Sequence, residues 1–455
     1  MPVRAASPLQ QFPRLLRRAL TSLFGRSAIE AGGSGRRWPH AGLRAPAREM
    51  LATRQLAAAR ARWFAINTPE GAAMANAIVA NLVGDGPSIR PVIADKSLYA
   101  ALVAIFGEFW DRCDIEGVSD LAGILQRLAW LLFVDGEFFV HFSLDPESSE
   151  LRLRILSPEQ VGGVPDQLLD GGGRIIAGVE FDANGRRIAY HIRENVDVPL
   201  MTALTVRRIP AEDICHVFEP KFAGQVRGLS GFAAAATTLS EVAALRDALL
   251  AKAKTAALFG GVIYNPNATD AGARSGGLDD ELAMEPGGMI KAPPGWSVEF
   301  SDPPSTEGAV DFLRSQIRAI AAAAGIPYEL VSGDLSQVNY SSARLGLMEF
   351  RRRMTALQRT LIVARFLQPV WRRFLLLEGL AGRVPMTTAL ATKAEFVFPG
   401  WAQIDPLKET KADLAAIAGN IKSRFEVISA RGRDPETVDA EIAQDPKPAT
   451  EQVAA

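Results

Sequence analysis

Cysteine is nearly absent: Cys113 and Cys215 are the two in a chain of 455 residues. They stand far apart and outside any metal-ligand spacing, which excludes a disulfide framework and predicts two small buried residues of a reducing compartment. No run of about 18 apolar residues occurs, so no transmembrane helix and no membrane partner are expected. The dipeptide Gly-Lys is missing, and with it the phosphate loop Gly-x4-Gly-Lys-Ser/Thr. Histidine is scarce. His40, His141, His191 and His216 lie in unrelated settings, the last three in predicted strands, and none has metal-ligand spacing. Asp135-Gly136-Glu137 reads as a turn at a helix–strand junction, not as an acid pair. Gly171–Gly173 lacks the strand–glycine–helix context of a dinucleotide site. Ser341-Ser342 has no His or Lys partner nearby in sequence. The formal net charge of −1 removes any global bias toward nucleic acid. No catalytic residue, metal or cofactor is therefore expected, and the chain reads as a protein that is not an enzyme.

What is present is apolar and periodic. Apolar residues make up 48% of the chain, enough for two to four domains or one elongated molecule. Residues 1–48 are rich in Arg, Gly, Ala and Pro and read as a flexible basic arm; RLLRRALTSLF lacks the continuous apolar core of a signal peptide. A helical text follows to Leu82, with Asn67 or Thr68 as N-cap and Pro69 at the first helical position. A strand over Ser88–Ile93, helices over Ser97–Cys113 and Ser119–Val134, and a strand over Glu137–Ser143 come next. LRLRIL alternates with period two, and Asn184-Gly185 between two apolar runs signals a hairpin. Ile214–Phe218 is a further strand. Together these predict an α+β region from about 50 to 228.

From Gly228 the text becomes Ala- and Leu-rich. It predicts a helix of roughly 42 Å up to Gly260-Gly261, with Ser230 as a candidate cap. Short Pro- and Gly-punctuated strands over 261–304 form a small β insertion. The next helix carries Val310, Leu313, Ile317, Ile320 and Ala324 on one face and stops at Gly325 and Pro327. A polar loop, Gly333 to Ser342, then precedes a helix of roughly 50 Å striped by Leu347, Phe350, Met354, Leu357, Leu361, Ala364, Leu367, Trp371 and Phe374. Pro369 is expected to kink or shorten that helix. Helices around 406–419 and 423–431 and an acidic tail close the chain.

The polar loop is the candidate functional segment, because long polar loops between rigid elements tend to carry function. The run Arg351-Arg352-Arg353 on the following helix has two readings, contact with phosphate or a solvated face with salt bridges within or between chains. Arg372-Arg373 carries the same alternatives.

GDLSQVNYSSAR, from Gly333 to Arg344, closely resembles the signature of the lambda-type tailed-phage portal proteins. The resemblance runs in order through NLVGDG at 81–86, the helix–DGEFFV junction at 129–140, GVEFDANGRRIAYHI at 178–192 and ICHVFEPKFAGQVRGLSGF at 214–232. It continues through EPGGMIKAPPG at 285–295, IAAAAGIPYELVSGDLSQVNYSSAR at 320–344 and WAQIDPLKET at 401–410. Leu335 stands where the family motif has an aromatic residue. The resemblance implies an α+β portal-type subunit: an α/β wing over 49–228, stem helices over 229–258 and 306–327, and a β-rich clip over 259–305. It further implies a tunnel loop over 328–344, a long kinked wing helix over 345–380, a helical C-terminal crown over 381–440 and a disordered tail over 441–455. It implies a homo-oligomeric ring, typically a dodecamer, at a capsid vertex of the virion, assembled in the bacterial host cytoplasm. Double-stranded DNA passes through its axis during packaging and ejection. The implied partners are the terminase large subunit, the major capsid or scaffold protein, and head-completion or tail adaptor proteins. Ser336, Gln337, Asn339, Tyr340, Ser341, Ser342 and Arg344 are the expected channel residues. The rival readings are a connector ring without a translocation role, a metal-dependent DNA-processing enzyme, and a solitary binding protein.

Overall fold

The computed structural model describes residues 46–194, 205–258, 262–264, 297–299, 308–336, 340–402 and 405–444. The N-terminal arm before residue 46, most of the expected clip, Gln337, Asn339 and the chain end after 444 lie outside it. The chain divides after Met50 into two compact units; of the first only residues 46–50, the opening turn of α1, are described. The second unit carries the architecture.

Local chemistry sets the first helices. α1 (Pro46–Asn67) and α2 (Pro69–Leu82) are separated by Thr68, whose extended backbone cannot belong to either. Its hydroxyl accepts from Gly71 N at 3.1 Å and donates to Phe64 O at 2.8 Å. Of the two candidate caps, Thr68 is the one used, and Pro69 holds the first helical position, where the absent N–H costs nothing. Thr68→Ala is expected to cost about 1 kcal/mol in urea unfolding. Asp95 caps α3 (Lys96–Arg112) and Asp120 caps α4 (Leu121–Val134) in the same way.

The described strands pair into four antiparallel sheets. β1 (Ser88–Val92) pairs with β12 (Lys393–Val397), register Ser88↔Val397. β2 (Glu137–Leu144) lies between β3 (Leu151–Leu156) and β9 (Ile214–Phe218). β4 (Gln167–Leu168), β5 (Arg174–Ile176), β6 (Val179–Phe181), β7 (Arg187–Arg193) and β8 (Val206–Pro210) form a meander in chain order. The turn at Asn184-Gly185 joins β6 to β7, with Gly185 at φ +81°. β10 (Val262–Tyr264) pairs with β11 (Ser297–Glu299).

Helix α5 spans Ala236–Leu258, 23 residues, and so starts later than the Ala-rich text predicts. The reason is tertiary. Gly228 N donates to the Glu137 carboxylate at 2.7 Å and Gly231 N to Phe133 O at 2.7 Å, so these amides are held outside any helix. Ser230 Oγ accepts from Phe232 N at 3.1 Å and caps a turn rather than α5.

α6 (Ala309–Ala324) buries Ile317, Ile320, Ala321 and Ala324 and ends at Gly325. A single helical turn, α7 (Tyr328–Ser332), precedes the polar loop. The long helix begins at Tyr340, so Tyr340 to Arg344 stand on its first turns and not in the loop. It runs as α8 (Tyr340–Leu357), a π-helical segment over Gln358–Leu367, and α9 (Gln368–Leu380). Pro369 therefore acts through the turns before it. It has no N–H to offer the Arg365 carbonyl, and the helix widens there instead of ending. Cys215, on β9, donates its thiol to that carbonyl at 2.8 Å. Cys215→Ala would remove this donor from a part-buried carbonyl, at an expected cost of about 1 kcal/mol, and Cys215→Ser should retain most of the stability in urea titrations.

Phe106 and Phe109 of α3 meet Trp371 and Phe374 of α9 at ring-centroid distances of 5.1–5.3 Å. These rings belong to the main core, which takes in α2, α4, the three-stranded sheet and the long helix. A second core, built on Phe139, Val179, Tyr190 and Ile209, lies between that sheet and the meander. After α10 (Met386–Ala391) and β12, three short helices follow: α11 (Pro406–Ala418), α12 (Arg424–Ala430) and α13 (Pro435–Gln444).

Candidate functional site

The entrance to the polar loop is organised by Asp334. Gly333 at φ +67° ends α7, and Ser332 Oγ accepts from Asp334 N at 3.1 Å. One carboxylate oxygen of Asp334 accepts from Ser336 N at 3.0 Å and from the Ser336 hydroxyl at 2.5 Å. The other accepts from the Tyr328 hydroxyl at 3.2 Å and faces Arg314 at 3.5 Å. The Ser336 hydroxyl, then the Ser336 amide, Tyr328 and Arg314 hold Asp334 below the usual carboxylate range. Arg318 lies over the Tyr328 ring at 5.1 Å. The loop thus leaves a rigid base while Leu335 and Ser336 stay exposed. Ser336 spends its hydroxyl on this turn. Tyr340, Ser341 and Ser342 open α8, and Arg344 is exposed one turn further on.

The arginine run splits three ways. Arg353 Nη1 donates to Ala324 O at 2.6 Å and to Gly325 O at 3.3 Å, capping the C-terminal end of α6 where the helix dipole favours a cation. Arg351 lies over the Trp401 ring at 5.4 Å. Arg352 is exposed and has no partner among the described residues. Arg373 is also occupied, donating to Glu212 O at 2.8 Å and pairing with Asp213 at 2.7 Å. The sequence marked Asp334 as part of the signature and Arg353 as part of the basic run, but not that the one organises the loop entrance and the other caps α6.

A separate charged cluster is enclosed by the chain's own atoms. Glu137, the first residue of β2, receives Arg227 Nε at 2.9 and 3.0 Å and Arg227 Nη2 at 2.7 Å. The same guanidinium donates to Ala177 O at 2.8 Å, Pro158 O at 2.8 Å and Val161 O at 3.2 Å, and lies over the Phe139 ring at 5.0 Å. His216 stacks on Phe139, its Nε2 3.1 Å from Glu137 and its Nδ1 3.4 Å from the Tyr190 hydroxyl. Arg227 is 0% and Glu137 2% exposed, so neither can exchange partners with water. Two glycines permit the approach. A Cβ on Gly228 would stand 2.1 Å from Gly136 O, and one on Gly136 2.1 Å from the Leu229 carbonyl carbon. The cluster ties the α4–β2 junction, the meander and the lead into α5 together at one point. Among the described residues no group of three or more His, Cys, Asp or Glu is placed to hold a metal.

Titration of this cluster has a definite sign. Burial alone would raise Glu137, but Arg227 and then His216 outweigh it and hold the acid down to about 2. Burial pushes His216 down to about 4, against the pull of Glu137, so the ring is neutral at pH 7. Between pH 6.5 and 4 the unfolded chain binds a proton at this histidine that the folded chain refuses, so stability falls as pH falls. Glu137 extends that loss below about 4.5. Asp135, raised to about 6 by burial, works in the opposite direction over the upper window. His216→Gln is therefore expected to flatten the stability profile between pH 6.5 and 4, as read by urea midpoints across that range.

The sequence pattern described as "Phage portal protein, lambda family" matches residues 32–358. The chain is 27% identical over 351 residues to a probable portal protein of Halomonas phage phiHAP-1, covering 73% of this chain and 67% of that one. It is 25% identical over 362 residues to portal protein B of Escherichia phage lambda, covering 70% and 67%. Among solved structures, the neck of a native gene transfer agent particle, computed with C12 symmetry, aligns over 91% of this chain and 99% of its own, at 18% identity and a TM-score of 0.50. The neck of the empty particle aligns over 91% and 100%, with a TM-score of 0.51. The family match spans most of the chain and places it in the class of phage-type portal subunits. More particularly, the chain belongs to the lambda family of phage portal proteins.

Proposed function

We propose that this chain forms a closed ring, a dodecamer, at one capsid vertex, and that double-stranded DNA passes through the ring during packaging and ejection. The observation that carries the reading is the lambda-family pattern running through a polar loop whose entrance is held by Asp334. A channel must hold DNA loosely enough for it to slide. Each cation that neutralises a phosphate adds strong, salt-dependent affinity, whereas Ser, Gln, Asn and Tyr offer weak, exchangeable interactions. Gln337, Asn339, Tyr340, Ser341 and Ser342 are proposed to face the axis, with Ser336 shaping the turn that presents them. Arg344 touches phosphate or anchors the loop, and Arg352 is the member of the arginine run free to do the same.

In this reading 49–228 is the wing, α5 and α6 are stem helices around a clip, and the C-terminal helices form the crown. The chain does no chemistry itself. A separate terminase ATPase supplies the work, and capsid, scaffold and head-completion proteins meet the ring. The test is replacement of residues 336–342 by a Gly-Ser linker of equal length in a packaging assay. Rings should still form and packaging should fall strongly; undiminished packaging would show that the loop is not the channel element.

A further inference from the structure

A cleft of about 600 Å3 opens between β3 and the β7–β8 edge of the meander, its lining residues distinct from those of the polar loop and of the buried charged cluster. Its walls carry three arginines, Arg154, Arg193 and Arg207, and two carboxylates, Glu116 and Glu194. Both carboxylates are already engaged. Glu194 pairs with Arg207 at 3.4 Å, and Glu116 with Arg127, outside the cleft, at 3.5 Å. The side chains of Arg154 and Arg193 hold no ion-pair or hydrogen-bond partner among the described residues, and Arg193 Nε is buried without an acceptor there. His141 stands opposite Arg154 in the β2–β3 register. Burial, and then Arg207 and Arg154, push His141 down, against Asp213, so a net positive field reaches this wall. The floor is apolar: Leu156, Ile192 and Ile209 are buried beneath the charges.

We propose that this cleft binds an acidic peptide segment of another protein, its carboxylates on Arg154 and Arg193 and a neighbouring apolar side chain on the floor. A guanidinium matches a carboxylate with two parallel hydrogen bonds. The apolar residues beneath the arginines favour a peptide, which can set an apolar side chain beside its carboxylates, over a DNA backbone, which carries none. The chain's net charge of −1 means that an acidic ligand is drawn to this spot by its local arginines and not by the molecule as a whole.

The test uses the full chain and a labelled peptide repeating Glu-Glu-Leu, read by fluorescence anisotropy at low salt. Arg154→Glu and Arg193→Gln are each expected to weaken binding about tenfold or more, with thermal midpoints close to the parent's. A Glu-Glu-Ser peptide should bind more weakly than the Leu form, and a short DNA duplex should fail to compete. Absence of peptide binding to the parent chain, binding unchanged in Arg154→Glu, or equal competition by the duplex would each overturn the proposal. Arg154 is exposed, so its replacement keeps the test open should the Arg193 variant fold poorly.

Discussion

Arg227→Met is expected to lower the free energy of unfolding by about 3–5 kcal/mol, the range seen when one partner of a buried ion pair is removed. Two losses combine. Glu137 would keep its negative charge at a site 2% exposed, with the Gly228 amide, a neutral His216 and Arg54, 3.7 Å away, as its remaining partners. The carbonyls of Pro158, Val161 and Ala177 would lose the guanidinium that now satisfies them. Arg227→Lys should recover little, because one ammonium cannot serve a carboxylate and three carbonyls that a planar fork reaches together. The double variant Glu137→Gln/Arg227→Met should regain part of the loss, since no buried charge then stands alone. Urea unfolding at pH 7 of the parent, Glu137→Gln, Arg227→Met and the double variant closes this cycle, and additive single losses would contradict the coupling.

Gly136→Ala is expected to cost about 2–5 kcal/mol, from two sources that add. Gly136 has φ +86°, a conformation costing an alanine about 1–2 kcal/mol, and overpacking against fixed atoms costs about 1–3 kcal/mol more. The atoms in the way are the carbonyl of Leu229 and the amide of Ser230, which no side-chain rotation can move. Gly117→Ala is the matched control: its φ is +64°, but nothing lies within 4 Å of the added carbon, so only the smaller cost should appear. Thermal unfolding of both variants separates the two costs, and equal losses would show that the backbone contact at Gly136 carries no weight.

Much of this architecture was legible in the sequence because the signals were local. Thr68-Pro69, Asn184-Gly185 and the Gly325–Pro327 stop each act within a few residues, and the helix stripes repeat with the backbone's own period. The resemblance marked 129–140 and 214–232 without saying why they matter. The structure supplies the reason, as the first contains Gly136-Glu137 and the second Arg227-Gly228, two segments that meet backbone to backbone. What escaped was long-range. β12 pairs with β1 across most of the chain. Arg227 looks like any loop arginine until three carbonyls and a carboxylate surround it. Cys215 gave no hint that its thiol would serve a carbonyl released by Pro369. Arg353, read as part of a solvated or phosphate-facing run, turns inward to cap α6, because a helix end must find a donor for its last carbonyls.

The function proposed for this chain stands or falls on whether its subunits close into a ring around a DNA-sized channel. The decisive measurement is imaging of the purified protein unstained in ice, with native mass as a check on copy number. Closed rings are expected, with a central hole wide enough for a DNA duplex and the polar loop at its narrowest level. A chain that stays monomeric under every assembly condition, or a ring whose loop faces away from the axis, would contradict that function.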